Sequence, residues 1–84
     1  MVNIGFGNLV NENHIVSIVK ADSAPAKRLI SSARSEGHLV DATQGRKTKS
    51  ILVTDCGILI LSGITTQALL ARFGPQAQEV EDDE

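Results

Sequence analysis

Two apolar stretches, Ser50-Ile51-Leu52-Val53-Thr54 and Ile58-Leu59-Ile60-Leu61-Ser62, stand on either side of Asp55-Cys56-Gly57. Aliphatic, β-branched runs this short read as strands, and a three-residue connection closing on glycine reads as a hairpin turn. The chain has 84 residues, which makes one domain with a modest core that neighbouring subunits would help to complete.

The flanking segments supply the rest of an α+β unit. Residues 2–10 form a short extended piece broken by Gly5 and Gly7, and Asn11-Glu12-Asn13 is a turn. Ile15 to Val19 reads as a buried strand. Asp22-Ser23 offers an N-cap with Pro25 inside the first turn. Ala26, Leu29, Ile30 and Ala33 then recur at helical spacing and Gly37 stops the helix, which predicts a helix over 24–36. His38 to Ala42 is a short strand, Thr43-Gln44-Gly45 a turn, and Thr65 or Thr66 caps a last helix that packs through Leu69, Leu70 and Phe73 before Gly74-Pro75. The expectation is a small, mainly antiparallel sheet with two helices over residues 1–75, followed by an acidic tail, residues 76–84, without structure.

Composition removes several function classes. No apolar run approaches the roughly 20 residues of a membrane span, and the start lacks a signal-peptide pattern, so a cytoplasmic protein with no membrane partner is expected. One cysteine, Cys56, rules out an intrachain disulfide and a cysteine zinc quartet. Phe6 and Phe73 are the only aromatics, too few for a base-stacking platform. Gly5-Phe6-Gly7 begins like a dinucleotide fingerprint, but Val10 occupies the place of the third glycine and no helix follows. Gly45-Arg46-Lys47-Thr48 lacks the glycine spacing of a phosphate loop. His14 and His38 lie in different segments from each other and from Cys56, and Asp41 and Asp55 match no ligand spacing. No enzyme activity, cofactor, metal or small-molecule substrate is expected.

The formal net charge of -2 conceals an asymmetry. Five of the ten acids fall within residues 79–84, and the preceding 78 residues hold eight Lys/Arg against five Asp/Glu. A mildly basic body with an acidic tail points to a polyanionic partner. Arg46-Lys47-Thr48-Lys49, beside the Gly45 turn, is the densest cationic feature. Arg46 offers a planar fork to phosphate or guanine, and the lysines add point charges. Lys27 and Arg28 on the first helix form a secondary patch whose plain reading is a solvated helix face. Three cations neutralise only about three phosphates, so firm binding needs the loop repeated by symmetry.

Asn3 to Asn8 (Asn-Ile-Gly-Phe-Gly-Asn), Ser17-Ile18-Val19, Asp22-Ser23-Ala24-Pro25 with Lys27-Arg28, and Leu39 to Thr43 leading into Gly45 to Lys49 together resemble the RemA family of bacterial extracellular-matrix regulatory proteins. The resemblance runs from about residue 3 to residue 73. It implies a DNA-binding transcriptional regulator of biofilm-matrix and osmoprotection genes. It also implies a nucleoid-associated, ring-shaped homo-oligomer whose protomers are LytTR-like and whose outer surface takes double-stranded DNA. Arg46, Lys47 and Lys49 fall on the family's basic segment, with Thr48 as an auxiliary, and His14 replaces a family arginine. Pro25 and Gly45 are structural in this reading. The alternative is an oligomeric scaffold whose basic loop meets acidic protein surfaces.

Overall fold

The computed structural model describes residues 1–73 and the two-residue strand Glu79–Val80. In chain order the elements are β1 (Val2–Asn3), β2 (Leu9–Val10), a 3-10 turn (Glu12–His14), β3 (Ile15–Lys20), α1 (Ala24–Glu36), β4 (Leu39–Asp41), β5 (Ser50–Thr54), β6 (Leu59–Ser62), α2 (Thr66–Phe73) and β7 (Glu79–Val80). β1 and β2 form a small separate hairpin, and the others form one sheet in the order β4-β6-β5-β3-β7.

The predicted hairpin is the middle of that sheet. β5 pairs antiparallel with β6 from Ser50↔Ser62 to Val53↔Leu59, and with β3 from Lys20↔Ser50 to Ile15↔Thr54. The outer pairs are parallel, β4 with β6 and β7 with β3. The central pairings are antiparallel as expected, and the parallel outer pairs make the sheet mixed: α1 carries the chain back to the starting end of β3, so β4 runs in the same direction as β3 and β6. At Glu79 and Val80 the anticipated structureless tail instead forms a strand, because β3 otherwise presents an unpaired backbone edge. Gly74-Pro75 and the other tail residues, 76–78 and 81–84, lie outside the described residues.

Side chains alternate across β5, with Leu52 on one face and Ile51 and Val53 on the other. On one face Ile51, Leu59 and Leu61 pack with Ala26, Ala33 and Ile30 of α1. On the other, Ile18 and Leu52 pack with Leu69 of α2 and with Ile4 from the β1–β2 hairpin. Both faces of the central strands are therefore covered, which accounts for their unbroken apolar sequence.

α1 has the predicted bounds. Ser23 Oγ accepts from the Ala26 N–H at 3.2 Å, Pro25 lies in the first turn, and Gly37 closes the helix in the left-handed region at φ 77°. Leu29, expected on the packed face, is 42% exposed because the stripe runs through Ala26, Ile30 and Ala33 and leaves it at the margin. Val16 is 66% exposed, since a register shift between Ile15 and Ser17 turns it off the buried alternation of β3.

Two buried serines join the layers. Ser62 Oγ donates to Ile4 O at 2.9 Å and accepts from the Ile64 N–H at 3.1 Å, and Ser50 Oγ donates to Ile64 O at 2.6 Å. Ser62→Ala removes the hydroxyl from buried Ile4 O and half-buried Ile64 N–H, and should lower unfolding free energy by about 2 kcal/mol, read from the urea midpoint. An unchanged midpoint would remove this strap from the account.

Candidate nucleic-acid interface

β3 and β6 both end, and β5 begins, at one edge of the sheet, and each helix starts there, α1 after β3 and α2 after β6. Lys20 closes β3, Lys27 and Arg28 lie in the first turns of α1, and Arg46, Lys47 and Lys49 occupy the β4–β5 loop. Six of the chain's eight Lys/Arg thus come from segments at this end, together with two helix N-termini, whose dipoles add partial positive charge. The acids nearby are Asp22 and Asp41.

The β4–β5 loop is held by its own backbone. Asp41 Oδ1 accepts from the Thr43 hydroxyl at 2.6 Å and from the Thr43 N–H at 2.9 Å. The Arg46 N–H then donates to Thr43 O at 3.1 Å. Gln44 and Gly45 both take positive φ, 56° and 81°, to close this turn. A Cβ at Gly45 would meet nothing within 4 Å, so glycine is favoured there by backbone conformation and not by space. At the far end of the loop Lys49 N–H donates to Ser62 O at 2.9 Å, and Ala21 N–H reaches Lys49 O at 3.3 Å. The basic loop is pinned between β3 and the β6–α2 turn.

The Arg46 guanidinium lies over the Phe6 ring, 4.9 Å from its centroid. Phe6 sits at the tip of the β1–β2 hairpin with φ 55°, between Gly5 and Gly7, which also have positive φ. The sequence reads here as a short extended piece broken by Gly5 and Gly7, with no role for Phe6. The available signal was an aromatic, one of two in the chain, held exposed between glycines. Its ring face steadies the arginine through a cation–π contact.

Behind the loop lies a cleft lined by Lys20, Asp22, Lys47, Thr48, Lys49, Thr65 and Thr66. Thr65 Oγ1 accepts from the Ala68 N–H at 3.2 Å, capping α2 at the cleft wall. Lys20 is the residue that sequence reading missed. It follows an apolar strand with no local sign of a partner, and only the β3–β5 register places it beside Lys49.

The structure does not bring His14 to this group. It precedes β3, while Lys20 ends it, about 16–20 Å away along an extended strand. His14 Nδ1 is 3.1 Å from Asp55 Oδ2 in an exposed pair. That pair shares an apolar groove with Cys56, Val10, Ile15 and Ile60. Cys56 Sγ contacts Thr54 Oγ1 at 3.2 Å, and among the described residues no hydrogen bond joins it to His14. No group of three or more potential metal ligands occurs among the described residues. Lys27 and Arg28 are exposed on α1 and are not part of the cleft lining. No helix among the described residues is long and apolar enough to cross a membrane.

Hydrogen bonds from the Thr43 hydroxyl and N–H, aided by the charge of Arg34, hold the Asp41 carboxyl below its ordinary range. A depressed carboxylate pKa stabilises the fold above the unfolded-state value, and that stability is lost as pH falls through the folded one. Asp41→Asn should therefore lower the urea midpoint near neutrality, with the difference closing in acid. A difference independent of pH would show that ionised Asp41 does not order the loop.

The profile of a family described as RemA-like, extracellular matrix regulatory protein A-like, matches residues 1–73. A chain from Acaryochloris marina is 49% identical over 73 residues, covering 87% of this chain and 83% of the relative. One from Nitratidesulfovibrio vulgaris is 51% identical over 82 residues (98% and 92%), and one from Pseudothermotoga lettingae is 45% identical over 83 (99% and 91%). All three are named as candidate regulatory proteins.

Proposed function

The chain belongs to the RemA-like family, and from that premise we propose that it is a DNA-binding transcriptional regulator acting as a homo-oligomeric ring. Each LytTR-like protomer presents the helix-start end of its sheet to the phosphate backbone of a duplex. The reading puts the protein on the nucleoid in the cytoplasm, at osmoprotection genes and at biofilm-matrix genes, the latter in keeping with the family's name. The regulatory names of the relatives support it.

The observation that carries the reading is the convergence of Lys47, Lys49 and Lys20 around one cleft, with Arg46 of the same loop held over Phe6, on segments fixed by the sheet register. Arg46 supplies the fork for bidentate contact, and the lysines and the Thr48 hydroxyl supply charge and a donor. Four cations neutralise about four phosphates per protomer, so affinity in a cell depends on repetition. Leu9, Val16 and Val40, exposed at 58%, 66% and 48%, and the apolar groove beside His14 offer surface for self-association. Sequence preference then enters through DNA bending and groove shape as well as base contact.

Arg46→Ala combined with Lys47→Ala should abolish duplex binding in a mobility-shift titration while leaving oligomer mass by light scattering unchanged. Unaltered affinity would overturn the reading, and a wild-type protein that ignores DNA would favour the scaffold role. Lys20→Ala should weaken binding uniformly across sequences and reduce the slope of log affinity against log salt by about 1 per protomer bound. A salt slope identical to wild type would take Lys20 out of the interface. Phe6→Leu, which keeps an apolar side chain but removes the ring face, should cost about 2- to 5-fold in affinity.

A further inference from the structure

The basic cleft has a candidate ligand within the same chain. β7 pairs parallel with β3, Ile18 opposite Glu79 and Val19 opposite Val80. The next residue of β3 is Lys20, which lines the cleft, and the next four residues after Val80 are Glu81-Asp82-Asp83-Glu84. We propose that this acidic segment occupies the basic cleft when nucleic acid is absent and competes with phosphate for Lys20, Lys47 and Lys49. The inference rests on the DNA-binding reading for its consequence, but not for the contact itself.

Strand direction makes the case. A parallel β7 delivers the chain to the end of β3 where the cations converge; an antiparallel one would deliver it to the end that holds His14 and Asp55. Four residues span up to about 14 Å. Lys49 precedes β5, two strand spacings or about 10 Å from β7 in the order β7-β3-β5. Lys20 and Lys49 are both within reach. Asp22 is the sole acid lining the cleft, against three lysines, so four consecutive carboxylates complement its charge. Tethering gives such a segment a millimolar effective concentration, enough for weak ion pairs to compete at low salt.

The test uses the full chain and a variant carrying Glu81→Gln, Asp82→Asn, Asp83→Asn and Glu84→Gln, which keeps β7. Anisotropy titration with a labelled duplex should show the variant binding about fivefold tighter at low salt, the gap closing as salt is raised. Carbodiimide cross-linking of the DNA-free wild type, read by mass spectrometry, should join residues 81–84 to Lys20, Lys47 or Lys49. Added duplex should suppress those cross-links, and mixed light and heavy protein should place them within one chain. Tighter binding without the cross-links would reveal only long-range repulsion and overturn the proposal, as would cross-links with unchanged affinity. Cross-links in a protein that never binds duplex would retain the docked segment and remove the DNA reading. Equal binding with no cross-links would do the reverse.

Discussion

Everything at the functional end depends on β5 being buried on both faces. Ile51 and Leu52 point in opposite directions from adjacent positions, each into a different cluster, and both are fully buried. Covering one face needs α1, and covering the other needs α2 and the β1–β2 hairpin. The lengths of those elements then dictate where their connections fall. β3 and β6 end at the edge where β5 begins, so the β4–β5 loop, both helix starts and Lys20 meet there without any contact among the cations themselves.

Charge repulsion makes such a meeting costly, and the structure offsets it locally. Arg46 is turned onto the Phe6 ring, Asp41 is committed to Thr43, and the loop backbone is tied to Ser62 and Ala21. None of these contacts pairs a cation of the loop with a carboxylate, so the cationic groups keep their charge for an external partner. A pre-ordered loop also loses less entropy on binding than a mobile one. Geometry and electrostatics therefore favour a polyanion for the same reason: the scaffold spends no carboxylate on its lysines among the described residues.

Much of this was legible beforehand. Ser23, Pro25 and Gly37 gave the bounds of α1, because capping is a local transaction between a side chain and the next few N–H groups. The hairpin at 50–62 and the Gly45 turn were readable for the same reason. Val16 and Leu29 were misjudged because their exposure follows from a register shift and from helix docking, neither of which leaves a local trace. Lys20 and Phe6 were missed on similar grounds. Their importance comes from partners 27 and more residues away, Lys47 for Lys20 and Arg46 for Phe6.

By itself the amino-acid order determined the elements, the turn chemistry, the cationic loop and the charge divide between body and tail, since each depends on neighbours a few residues apart. Tertiary structure alone decided that the outer strand pairs run parallel, that His14 lies at the opposite end from Arg46, and that β7 runs alongside β3 in the same direction. Those outcomes follow from which apolar faces must be covered at once, a condition on the whole chain that no short window of sequence contains.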